Sequence, residues 1–136
     1  EPQRMQQAPC YTDVVEEVKG FLQDRVAACE AAGIGRERLV IDPGFGFGKT
    51  LEHNLALLRH LNRLAELGVP VLAGLSRKSM LGTLTGRDVG AREFAGVSAH
   101  LAAVARGARL VRVHNVAAMR DALAIWNAVE EQQDGT

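Results

Sequence analysis

The feature that most narrows the fold is a recurring unit: a helix closed by glycine, then a short apolar strand ending in polar residues. Val14, Val18, Phe21, Leu22, Val26 and Cys29 recur at helical spacing, and Gly33 closes that run. Asp13 and Glu16 ahead of it form a capping pair. Leu39 to Ile41 reads as a buried strand ending at Asp42. Leu51, Leu55, Leu58, Leu61 and Leu64 predict one helix stopped at Gly68. Val69 to Leu75 is the next strand, interrupted by Pro70 and Gly74 and closed by Ser76-Arg77-Lys78. Ser79 to Gly90 reads as a long loop with a short helical turn. Phe94, Val97, Leu101 and Val104 form a helix ending at Gly107, and Leu110 to Val113 is a third strand closing at His114-Asn115. A last helix spans Val116 to Glu131, with a frayed tail after it.

Strands alternating with helices call for a parallel sheet covered on both faces. The polar strand ends recur at a spacing of roughly 35 residues, close to one βα unit of a (β/α)8 barrel, whose catalytic groups sit on that rim. About three parallel strands with flanking helices cannot close such a barrel, which takes about 250 residues. The expected fold class is therefore α/β, a portion of a TIM barrel, with residues 1–136 forming an incomplete barrel domain. A doubly wound open sheet is the structural alternative. The first residue is Glu1 and the opening E-P-Q-R-M-Q-Q-A-P is polar, so the expectation is a piece of a longer chain.

Composition limits the partners. The 136 residues carry 16 basic and 16 acidic side chains, so no overall positive charge draws the chain to nucleic acid or an anionic membrane. No apolar run approaches the ~20 residues of a membrane span. Cys10 and Cys29 show no metal or disulfide spacing, which suits a reducing cytoplasm. Cys29 lies on the apolar side of its helix and is expected to pack.

The stretch I-D-P-G-F-G-F-G-K-T, Ile41 to Thr50, looks at first like a phosphate-binding loop. Counting back from Gly48-Lys49-Thr50, the first glycine of G-x-x-x-x-G-K-[ST] would fall on Pro43. Proline has no N–H and a fixed φ, so it can serve neither the turn nor the phosphate. No later strand ends in an Asp for magnesium, and G-x-G-x-x-G would require glycine at Lys49. What remains is Asp42 at a strand tip, followed by glycines that let a ligand approach the backbone, with Phe45 and Phe47 between them. Asp42 can accept two hydrogen bonds from an amidine-like ring edge and the phenylalanines can wall a site. The plainer alternative is an Asp that caps the next turn, with the phenylalanines as anchors. On this reading Lys49-Thr50 simply begin a helix.

Two further strand ends carry charge. In G-L-S-R-K-S, Gly74 to Ser79, two cations flanked by hydroxyls fit an anionic or carbonyl-bearing ligand, or else form a solvated pair opening a loop. In L-V-R-V-H-N, Arg112 and His114 share a strand face and can hold a phosphate, or else mark the solvent side of an edge strand. His53, His60 and His100 fall in helices, where surface or packing roles are expected. Glu130-Glu131 belongs to a solvated helix end.

D-P-G-F-G-F-G-K, G-L-S-R-K-S-M-L-G and R-V-H-N-V, in this order and spacing, resemble the dihydropteroate synthase family, whose segment after the fifth strand P-Q-R-M-Q also resembles. The resemblance implies the C-terminal half of a TIM barrel, carrying strands six to eight. It implies condensation of 6-hydroxymethyl-7,8-dihydropterin diphosphate with 4-aminobenzoate, releasing pyrophosphate, the folate step blocked by sulfonamides. By motif, Asp42 would bind the pterin's amino-pyrimidine edge and Lys78 its oxygen and ring nitrogen. Met5 and Gly74 would line the pterin pocket, and Phe47 and Ser76 the aminobenzoate site. Arg112 would stack near the pterin and, with His114, hold the diphosphate; Lys78, Arg112 and His114 would be the catalytic set.

The resemblance further implies Mg2+, with its ligand in an N-terminal half outside this chain, and a homodimeric parent. This segment alone is expected to be inactive or unstable. Asn115 stands where the family usually has Asp, keeping the shape but losing a charge. Another pterin-binding barrel, such as a corrinoid-dependent methyltransferase domain, shares the Asp-containing glycine loop; S-R-K-S and Phe47 argue against it. A non-catalytic half-barrel used for association is the third reading.

Overall fold

The computed structural model describes residues 11–131, with side chains from Val14 onward. Met5, Cys10 and the proposed capping side chain of Asp13 lie outside the described residues. In chain order the elements are α1 (Tyr11–Ala31), α2 (Leu51–Arg59), α3 (Leu61–Ala65), β1 (Val71–Ala73), α4 (Ser79–Thr85), α5 (Glu93–Ala105), β2 (Ala108–Val111) and α6 (Val116–Glu130). Single 3₁₀ turns sit at Arg36–Arg38 and Val89–Ala91.

The alternation of the sequence is present, and the sheet is parallel, but it is smaller than expected. β1 pairs with β2 in the register Val71↔Ala108, Leu72↔Leu110 and Ala73↔Val111, with an irregularity after Val71. Where three strands were expected, the described residues form two, and the Leu39–Ile41 segment contributes only a parallel bridge from Ile41 to Val71. Its amide donates to Pro70 O (2.9 Å) and its carbonyl accepts from Leu72 N (2.8 Å). Proline cannot donate to a ladder, so β1 begins only after Pro70. β2 starts two residues earlier than Leu110, and its far side is an unpaired edge among the described residues, with Leu110 41% exposed.

The core lies between the sheet and α1–α3. Leu57, Leu61, Leu64, Val71, Ala73 and Leu75 are fully buried, each leucine contributing about 2 kcal/mol by removal from water. Val14, Leu22 and Val26 of α1 join them, but Phe21, counted on the same stripe, is exposed. Helical periodicity defines a stripe broader than the partner that covers it. Arg63 of α3 bonds Glu16 of α1 (2.9 Å) and Glu66, which also takes Lys19 (3.0 Å). Partly exposed pairs like these orient helices more than they stabilise them.

The helix expected from Leu51 to Gly68 is broken at His60, which leaves helical geometry at φ −112°, ψ 29°. Leu57, Leu61 and Leu64, spaced four and three residues apart, still face the core together across the break. The expected loop from Ser79 holds the two-turn helix α4, closed by Gly86 in the left-handed region. Cys29 is half-buried, with a free thiol.

Candidate active site

Three chain segments meet at the C-terminal ends of the sheet: the loop after Ile41, the turn after β1 and the residues after β2. Asp42 is oriented by its own loop, for its Oδ1 accepts the Gly44 amide at 2.9 Å, as an Asx turn does. Oδ2 faces Arg112 Nη1 at 3.3 Å. The guanidinium reaches that position by crossing Gly74, where an added Cβ would lie 2.5 Å from Arg112 Nη2. Gly74 is thus needed for close approach. The Asp42–Arg112 pair is loose and solvent-exposed, so a ligand can replace either partner at modest cost.

The loop itself is held from inside. Gly44, Gly46 and Gly48 have φ of 72°, 90° and 64°, a region that side chains with a Cβ avoid. Between them Phe45 is buried and Phe47 is 72% exposed, one anchor and one free wall. Asn54 of α2, itself buried, accepts the Gly46 amide (2.9 Å) and donates to Thr50 O (3.1 Å). Thr50 caps α2 by accepting the His53 amide, in line with its expected place at a helix start.

Lys49 is not merely the residue before that helix. Its ammonium donates to Gly44 O (2.9 Å) and Phe47 O (3.2 Å) across the loop. Burial lowers its pKa below the ordinary 10.5; Asp42 opposes this and Lys78 adds to it. A lysine following three glycines reads as a helix start because its partners are backbone carbonyls, which carry no sequence signature.

Lys78 comes from the neighbouring turn and reaches the same loop. Its Nζ donates to Phe45 O at 2.9 Å and lies 4.5 Å from the centre of the Phe47 ring, a cation–π contact. Next to it, Ser76 Oγ is 2.7 Å from His114 Nδ1 and accepts the His114 amide at 3.3 Å. The serine and the imidazole, taken from the sequence as parts of separate half-sites, form one pair. Gly74, Ser76, Lys78, Arg112, Val113 and His114 line a cleft of about 240 Å³. A second cleft of about 350 Å³ runs from Asp42, Gly44 and Phe47 to Val18 and Phe21 of α1.

The structure therefore brings Asp42, Phe47, Gly74, Ser76, Lys78, Arg112 and His114 onto one rim. It also shows support that the sequence reading passed over. His100 is buried on α5, donates Nδ1–H to Gly96 O (2.8 Å) and accepts the Leu75 amide on Nε2 (3.0 Å). Burial lowers its pKa below 6.5, backbone hydrogen bonds oppose this, and Arg112 lowers it further. Asn115 caps α6 by accepting the Ala118 amide (3.0 Å), and its amide nitrogen donates to Glu93. An aspartate there could keep the cap but not that donation. Among the described residues, no group of three His, Cys, Asp or Glu side chains could hold a metal. No helix among them is long and apolar enough to cross a membrane.

The rim of this parallel α/β sheet thus sets a carboxylate and one exposed phenylalanine against lysine, arginine and histidine. The family model described as pterin binding enzyme matches residues 1–114, and the chain belongs to that family. It is 57% identical over 130 residues to the dihydropteroate synthase of Neisseria meningitidis serogroup C, covering 94% of this chain and 46% of the relative. Among solved structures, the Xanthomonas albilineans dihydropteroate synthase in complex with 7,8-dihydropteroate superposes with a TM-score of 0.88. That match has 58% identity and covers 92% of this chain and 48% of the other. The same enzyme with 4-aminobenzoic acid gives 0.87 at 57% identity, covering 93% and 49%. The chain spans less than half the length of these relatives.

Proposed function

We propose that this chain is the C-terminal part of a dihydropteroate synthase barrel, joining a dihydropterin diphosphate to 4-aminobenzoate. The observation that carries this reading is the shared position of Lys78. It touches the carbonyl of the Asp42 glycine loop and the Phe47 ring, and it lines one cleft with Arg112 and His114. The ligands of the similar Xanthomonas albilineans structures, 7,8-dihydropteroate and 4-aminobenzoic acid, are the product and one substrate of that reaction.

In this reading Asp42 takes the amino-pyrimidine edge of the pterin, its carboxylate already aimed by the Gly44 amide. Lys78 leaves the Phe45 carbonyl for the pterin oxygen and ring nitrogen. Gly74 lines the same pocket. Arg112 and His114 face the diphosphate, and Phe47 with Ser76 borders the arylamine. The bond from the pterin methylene to the diphosphate oxygen breaks, and its electron pair leaves with pyrophosphate. The arylamine nitrogen then bonds to the methylene carbon and loses a proton. Fixed cations placed where negative charge develops lower the barrier to the first step. The 2.7 Å contact of Ser76 Oγ with His114 Nδ1 orients the imidazole, leaving Nε2 on the side away from the serine.

Magnesium would neutralise the diphosphate, and its ligand is proposed to come from the N-terminal half of the barrel, outside this chain. The intact enzyme is proposed to be a cytoplasmic homodimer. Pyrophosphate release by the full-length protein, given both substrates, tests the reading. Lys78→Ala should lower kcat/KM by about 10²–10³-fold. No release from the unaltered protein would overturn the synthase assignment, and full activity in Lys78→Ala would overturn the site.

A further inference from the structure

The turn that presents Ser76 and Lys78 has a backbone its sequence does not favour. Arg77 has φ 60° and is the only non-glycine residue with positive φ among the described residues. Lys78 N donates to Leu75 O at 3.1 Å, so residues 75–78 form a closed four-residue turn. Its third position carries the positive φ, a place where glycine or asparagine is usual. An arginine there needs a constraint from outside the turn.

Arg92 supplies one. It stands at the N-cap of α5 but makes no side-chain cap, and a cation at a helix N-terminus opposes the helix dipole. Its position is therefore not explained by its own helix. The half-buried guanidinium instead turns back over the preceding chain. Nη1 donates to Arg77 O (3.0 Å) and reaches Lys78 O (3.5 Å), and Nε donates to Arg87 O (3.0 Å). Gly82 of α4 leaves the space, since a Cβ there would overlap the guanidinium. Nη1 thus reaches the carbonyls on either side of the Lys78 Cα, while Gly82 lets the planar guanidinium lie flat.

We infer that Arg92 is a positioning residue: it holds Arg77 in the left-handed conformation that aims Lys78 at the glycine loop and Ser76 at His114. This deepens the synthase reading and rests on it for its kinetic readout. In the full-length protein, Arg92→Ala should lower kcat/KM by about tenfold to a hundredfold, as small misplacements of reacting groups do. Adding Arg77→Gly, which accepts positive φ without a brace, should restore at least about threefold of that loss. A role confined to packing α5 would give no such rescue.

Wild-type kcat/KM in Arg92→Ala, or a double variant no better than the single one, overturns the inference. If Arg92→Ala does not fold, Gly82→Ala displaces the guanidinium while favouring the helix, and the same loss and rescue are expected. If the unaltered protein releases no pyrophosphate, the synthase reading fails by itself. The crystal structure of Arg92→Ala then decides: a positive φ retained at Arg77, with Lys78 still on Phe45 O, overturns the inference.

Discussion

Two neighbouring loops on the rim solve the same problem by opposite means. The loop after Ile41 takes its unusual backbone from glycine at 44, 46 and 48, while the turn after β1 puts an arginine where glycine would be easier. Each is nevertheless fastened by a buried polar side chain from the helix behind it. Asn54 of α2 holds the Gly46 amide, and His100 of α5 holds the Leu75 amide. The lesson is that backbone permissiveness and external bracing are interchangeable ways to aim a side chain, but they fail differently. A glycine loop is damaged by any added Cβ, whereas a braced turn is damaged from a distance, through residues that never meet a ligand.

The hardest break in this comparison is Asn54→Ala. It removes both bonds of a buried amide and leaves the Gly46 N–H without its acceptor, so thermal or denaturant unfolding of the full-length protein should show a loss of about 2–3 kcal/mol. An unchanged midpoint would mean that the glycine loop needs no fastening. Gly48→Ala should cost less, about 1–2 kcal/mol, because the left-handed backbone is penalised but no atom lies within 4 Å of the new methyl. A loss as large as that of Asn54→Ala would point to a contact the loop does not show.

The smallest effect concerns the braced turn and is read through pH. His100 is held neutral, with its pKa below the ordinary 6.5. The unfolded chain therefore binds the proton more readily than the folded one. Stability from this group is complete above pH 6.5 and is lost as pH falls from there through the folded pKa. His100→Gln, which can still accept the Leu75 amide, should flatten that slope, a change of order 1 kcal/mol in unfolding curves taken across the window. A slope that persists in the variant would assign it to another group.

Much of the rim was legible because it is written in strand ends. Asp42, Ser76, Lys78, Arg112 and His114 each follow an apolar run, and parallel strands bring such positions to one side. The extent of the strands was less legible. Pro70 truncates β1 from within an apolar run, and Ile41 is paired while Val40 beside it is exposed, since pairing depends on neighbours that periodicity does not show. The bracing was not legible at all. Lys49, Asn54 and Arg92 bind backbone oxygens or amides, so their partners have no residue type to recognise. Phe21 shows the converse, an apolar residue at helical spacing that nothing covers.

Lys78 ties the two loops together, and that has a thermodynamic consequence. Its ammonium belongs to the braced turn but spends its hydrogen bond on Phe45 and its charge on Phe47. A ligand that draws Lys78 away must offset both contacts, and the glycine loop then loses a tether supplied by its neighbour. Occupancy on one side of the rim is thus linked to the freedom of Phe47 on the other. Because linkage is reciprocal, whatever orders Phe47 against Lys78 changes, by the same factor, the affinity for the ligand competing for that amine.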